Sequence, residues 1–129
     1  MRVFKSKWFA KFARKEGIAD RELCGAVDRA ARGLIDADLG GGLIKQRVAR
    51  QGAGKSGGYR TVLAYRSGAS AFFVFGFAKS DRENLDAVEL LAFREIAGQL
   101  LKLDEAGIAD QLALGQHMEI VCDGQELQE

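Results

Sequence analysis

Residues Ala71 to Phe77 read AFFVFGF, a run without one polar side chain. Period-two alternation of apolar and polar residues would mark a half-solvated strand. A short run that is apolar at odd and even positions alike marks a central strand covered on both sides. Everything else in the chain has to supply its neighbours and its covers.

The neighbours lie just upstream. Tyr59 to Arg66 alternates, with Tyr59, Thr61, Leu63 and Tyr65 on one face and Arg60, Val62, Ala64 and Arg66 on the other. Ser67-Gly68 supplies the hairpin turn into the apolar run. From Leu43 the pattern is again period two, with Leu43, Lys45, Arg47 and Ala49 opposed to Ile44, Gln46, Val48 and Arg50. Between these strands, Gln51 to Gly58 holds four glycines and reads as a loop.

The covers come from the two ends of the chain. Arg2 to Lys5 reads as a first strand. Ser6 is positioned to cap a helix carrying Trp8, Phe9 and Phe12, which Gly17 stops. Asp20 is expected to cap a second helix ending near Arg32-Gly33, with a stripe of Leu23, Val27, Ala30, Ala31 and Leu34. Asp36 to Gly42 (DADLGGG) reads as a connecting loop. Downstream, a helix starts near Leu85, with Ser80-x-x-Glu83 and Asp86-x-x-Glu89 both fitting a capping box. Its stripe is Leu90, Phe93, Ala97, Leu100 and Leu101. Leu103 to Leu114 predicts a weaker helix and His117 to Cys122 a short strand; the tail after about residue 123 is expected to fray. The 129 residues make one domain, 1–129, of ordinary globular composition, with 47% hydrophobic and 29% charged residues.

Nothing reaches the length of a transmembrane helix, and the basic N-terminus lacks an apolar signal core, so a cytoplasmic chain is expected. Cys24 and Cys122 are isolated and fit a reduced compartment better than a disulfide framework. The net charge of +1 conceals a division: residues 1–70 carry +9 and residues 71–129 carry −8. From Leu43 to Arg82 there are eight Lys or Arg and a single acid, Asp81. Cations concentrated along a sheet rim form a surface for a polyanion.

Several chemistries fall away. Ala49 to Ser56 loosely matches a phosphate loop, but that loop must open a helix, and here Gly57-Gly58 and a strand follow. His117, Cys24 and Cys122 are too few and too scattered for a zinc site. No pattern joins His117 to a serine. Lys45, Arg47, Arg50, Lys55, Arg60, Lys79 and Arg82 remain. They fit nucleic-acid binding without chemistry, and they equally fit RNA cleavage, in which the ribose 2′-hydroxyl attacks its own phosphate. Arginine suits the growing charge on the phosphoryl oxygens, and a lysine crowded by cations suits proton transfer. Tyr59 and Tyr65 are candidates for stacking a base, or for the core.

The segments IKQRVAR, GKSGGYR and FGFAKSDREN, and more broadly Leu43 to Ala97, resemble the RelE-type toxins of bacterial toxin–antitoxin modules, in particular a HigB-like branch. The resemblance implies an α+β domain, a twisted antiparallel sheet with an N-terminal helical hairpin and C-terminal helices packed on it. It implies cleavage of messenger RNA, usually on the ribosome and without a metal or other cofactor, and inhibition by a cognate antitoxin. The resemblance carries over Arg60 as the arginine that meets the scissile phosphate, Lys45 and Arg47 on the strand that supplies basic residues, and Lys79 at the opening of the basic turn. Joined with the charge reading above, the expected catalytic set is Arg60, Lys55, Lys79 and Arg82, and the expected RNA-binding set is Lys45, Arg47, Arg50, Tyr59 and Tyr65. Two positions depart from the best-known members: Ser80 stands where they have an arginine, with Arg82 two residues on, and Asp86 stands where they have a tyrosine. ParE-type toxins share the fold and act on DNA gyrase, so a gyrase poison is the alternative, beside a non-catalytic RNA- or partner-binding module.

Overall fold

The structure is a computed structural model, and it describes residues 1–49 and 58–122. The element order is β1 (Arg2–Ser6), α1 (Lys7–Glu16), α2 (Asp20–Ala31), β2 (Ala37–Gly40), β3 (Leu43–Val48), β4 (Tyr59–Arg66), β5 (Ser70–Ala78), α3 (Ala87–Leu101), α4 (Glu105–Ala113) and β6 (His117–Ile120). The strands form one sheet in the order β2-β3-β4-β5-β1-β6, so the class is α+β.

The apolar run sits where its composition requires. β5 lies between β4 and β1, and both of its faces are covered. On one face, Phe73 and Ala71 pack with Phe9 and Ala13 of α1 and with Leu23, Val27 and Ala30 of α2. On the other, Phe72 and Val74 pack with Phe4, Leu43, Val62 and Ala64 beneath Ala97 and Leu100 of α3 and Ile108 of α4. Gly76 is needed for the first of these layers. A Cβ there would come within 2.6 Å of the Phe12 ring, so glycine lets the aromatic face of α1 close on the strand.

Local signals fix most boundaries. Ser6 caps α1 by accepting from Phe9 N at 3.0 Å, and Gly17 ends it with φ 73°. Of the two capping boxes considered for α3, Asp86-x-x-Glu89 forms, with Glu89 N donating to Asp86 Oδ1 at 2.8 Å and Asp86 N to Glu89 Oε1 at 3.0 Å. The helix therefore starts at Ala87, two residues beyond the expected Leu85.

Some expectations need correction. Asp20 does not cap α2 but opens it; Ala19 holds the cap position, and its N–H donates to Glu22 Oε2 at 3.0 Å. The segment read as a loop, DADLGGG, contains β2, an edge strand paired with β3 through Ala37↔Lys45 and Asp38↔Ile44. The sheet is mostly, not wholly, antiparallel: β1 runs parallel to β5, with Phe4↔Phe72 in register, because the helical hairpin intervenes between the N-terminal strand and the rest. Cys24 and Cys122 are not free thiols. They are joined by a disulfide across a separation of 98 residues, because β6 pairs with β1 and brings the chain end back to α2. The expected loop at 51–58 (Gly58 excepted) and the frayed tail lie outside the described residues. No helix among the described residues is long and apolar enough to cross a membrane.

Candidate functional site

On the α3 side of the sheet, Leu43, Val62, Ala64 and Phe72 lie under the helix. The same strands continue past its cover. There the outward positions turn from apolar to cationic: Lys45 and Arg47 on β3, Arg60 on β4, and Lys79 just after β5. Together with Asp36 and Ala37 these four line a hollow of about 310 Å³. A second hollow of about 480 Å³ adjoins it, sharing Asp36, Arg47 and Arg60 and adding Arg29, Val48, Ala49 and Gly58.

Arg47 and Arg60 are direct register partners across β3 and β4. Like charges opposite one another in a ladder destabilise it unless an anion lies between them. The strands that carry them are held rigidly. Gln46, fully buried between Lys45 and Arg47, donates through Nε2 to Ala26 O at 3.0 Å and Leu34 O at 3.2 Å, and its Oε1 accepts from Asp36 N at 2.7 Å. Thr61 Oγ1 donates to Gln46 O at 2.8 Å. Asp36 takes the place of a strand at the end of β2: its Oδ2 accepts the Arg47 amide at 2.7 Å, while Oδ1 lies 3.7 Å from Arg47 Nε. Lys45 is anchored to Asn84 Oδ1 at 2.7 Å, and the Lys79 amide donates to Gly58 O at 3.0 Å. Among the described residues, five cations thus face the two hollows against one carboxylate already engaged with Arg47.

Lys45, Arg47, Arg60 and Lys79 are brought together as the sequence suggested. Lys55 and Arg50 lie outside the described residues. Arg82 is not among the residues lining either hollow; it lies beside them, over Phe77, the register partner of Arg60. Its guanidinium is paired through both ends with Glu89, at 2.9 and 2.8 Å, and lies over the rings of Phe75 and Phe77 at 5.2 and 5.0 Å. That pairing raises the Arg82 pKa and holds the Glu89 carboxyl below its usual range. Glu89 is also the partner of Asp86 in the α3 cap, so Asp86 fixes the start of that helix.

Tyr59 and Tyr65 correct the stacking expectation. By strand alternation both sit on the α1–α2 face, opposite Arg60. Tyr59 is 2% exposed and its hydroxyl meets Glu16, and Tyr65 packs against the same core from the far end of β4. Neither can lie flat against a base in the hollows. His117 is buried on β6 against the edge of Phe72, three strands from Arg60, and burial lowers its pKa. Arg29 was not singled out in the sequence, where it reads as part of a solvated helix face. The signal for Gln46 was available: a polar residue at an inward position of a period-two strand.

The family model for the RelE toxin of the RelE/RelB toxin–antitoxin system matches residues 1–120. The chain belongs to the RelE toxin family. It is therefore a toxin of a type II toxin–antitoxin module, and the family implies a RelB-type antitoxin as its partner. No curated protein matches the sequence. Within the RelE frame the match takes in every described strand and helix, so the cationic end of the sheet is part of the family domain.

Proposed function

We propose that this RelE-family toxin is an endoribonuclease that cleaves messenger RNA on the ribosome, by attack of a ribose 2′-hydroxyl on the adjacent phosphate. The observation that carries the reading is the direct opposition of Arg47 and Arg60 over a hollow completed by Lys45 and Lys79. A bridging phosphodiester relieves that repulsion, and it relieves it most when the phosphoryl oxygens gain charge in the transition state. Arg60 and Arg47 are assigned to those oxygens. Lys45 and Lys79 are assigned to the two proton movements: one proton leaves the 2′-oxygen as it bonds to phosphorus, and one reaches the 5′-oxygen as its bond to phosphorus breaks. The products are a 2′,3′-cyclic phosphate and a free 5′-hydroxyl. No step needs a metal.

The fixed strands support this role. Gln46, Thr61 and Asp36 fix the backbone from which the two arginines project, so their attachment points are set before substrate arrives. An antitoxin with acidic residues opposite these cations would block the site by occupying it.

The test is cleavage of a defined message by purified toxin and ribosomes. Product ends bearing 2′,3′-cyclic phosphate, formed equally in a reaction whose free divalent ions are replaced by polyamine, are expected. Intact message, or cleavage leaving 5′-phosphate ends, contradicts the mechanism.

A further inference from the structure

The second hollow is larger than the first and shares Arg47 and Arg60 with it, but it also holds a cation that has no part in the step just described. Its distinguishing residue is Arg29, in the last turn of α2, on the helical layer that lies behind the sheet. Arg29 reaches over the end of the sheet, and its Nη2 donates to the backbone carbonyl of Arg47. That bond uses one end of a planar fork and fixes the guanidinium at the wall of the second hollow. Among the described residues, the polar side chains lining this hollow are Arg29, Arg47, Arg60 and the already engaged Asp36, three cations against one carboxylate. That is the chemistry of an anion site.

We propose that the Arg29 hollow is a phosphate subsite for the nucleotide next to the cleaved linkage. The RNA strand then bends over the open end of β3 and β4, from the Lys45–Lys79 hollow towards α2. The inference rests on the RNA reading above and adds direction and length to it. Consecutive phosphates are the natural occupants of two adjoining cationic hollows that share Arg47 and Arg60. Arg29 there recognises the backbone, not the base.

The experiment compares wild type with Arg29→Gln and Arg29→Lys, using 2′-O-methylated RNA that cannot be cleaved. One probe is a dinucleotide with a single phosphate; the other is a hexanucleotide. Binding is measured over a range of salt, and melting temperatures are recorded for each variant. Arg29→Gln is expected to weaken the hexanucleotide about tenfold, consistent with loss of a hydrogen bond to a charged group. The salt slope should fall by about 0.7, the value for one single-strand phosphate contact. The dinucleotide should bind as it does to wild type, and Arg29→Lys should recover much of the loss. Equal losses on both probes would overturn the subsite and make Arg29 a support for the Arg47 strand. Unchanged binding of both would overturn it outright. If wild type binds neither probe, or Arg60→Ala binds both as well as wild type does, the RNA reading itself fails, and the subsite with it.

Discussion

The two halves of the outer sheet face are built from the same strands and do opposite things. Under α3, the outward residues Leu43, Val62, Ala64 and Phe72 are almost completely buried and fully apolar. Two to four residues away on the same face of β3 and β4, past the cover of the helix, the outward residues are Lys45, Arg47 and Arg60. The covered half derives its stability from burial of apolar area. The open half keeps a repulsive arginine pair, which weakens the ladder locally and suits an anionic ligand. Proteins commonly keep such locally unfavourable arrangements where they bind or react. The buried Gln46–Thr61–Asp36 network lies at the junction and lets one rigid sheet carry both.

That contrast can be broken from either side. Phe72→Ala removes a fully buried ring at the centre of the covered half and is expected to cost about 3–5 kcal/mol in chemical denaturation. A loss below about 1 kcal/mol would mean that the layer under α3 is loosely packed. Arg60→Ala should behave inversely: cleavage should fall by about 10²–10³-fold, while the melting temperature stays level or rises as Arg47 loses its opposing charge. The disulfide lies in neither half: it ties α2, on the opposite face of the sheet, to the chain just after β6, and should act on stability alone. Reducing Cys24–Cys122 is expected to cost about 2–5 kcal/mol and leave cleavage per folded molecule unchanged. A thiol count on the denatured, unreduced protein should be zero, and two reactive thiols would refute the pairing.

Smaller effects sharpen the comparison further. Arg82 is engaged by Glu89 at the boundary between the two halves, so Arg82→Ala should lower stability by less than about 1 kcal/mol, as expected for a partly exposed ion pair. Its effect on cleavage should be far smaller than that of Arg60→Ala, and a matching loss would return Arg82 to the catalytic set. The least effect concerns acid. Burial disfavours the protonated form of His117, so its pKa in the fold lies below 6.5. The unfolded chain then takes up the proton first, and stability should decline as pH falls below about 6.5. His117→Phe should flatten the denaturation midpoint in that range; an unchanged slope would assign the acid response to other groups.

Most of the frame was legible because it is local. The alternation of β3 and β4, the two-sided apolar run of β5, Ser6 at one helix start and Gly17 at its end are all written within a few residues. What was hidden depends on residues far apart. β2 lies in a glycine-rich stretch whose strand character comes from pairing with β3. The parallel β1–β5 contact and the Cys24–Cys122 bond follow from chain crossings that no short window contains. In the site, Lys45, Arg47, Arg60 and Lys79 could be read from charge and strand parity. Arg82 could not be separated from them, because its pairing with Glu89 comes from the turn into α3. Arg29 was invisible because an arginine on a polar helix face looks solvated until the sheet end is seen beneath it. Tyr59 and Tyr65 were already on the opposite parity from Arg60, a clue that the strand pattern contained.

The central claim is that charge opposition at the open sheet end performs RNA cleavage. The most direct measurement is primer extension on total RNA from cells expressing the wild-type toxin or Arg60→Ala at equal folded levels. The account predicts discrete cuts within translated messages for wild type and none for the variant. Intact messages with wild type, or the same cuts with Arg60→Ala, would contradict it.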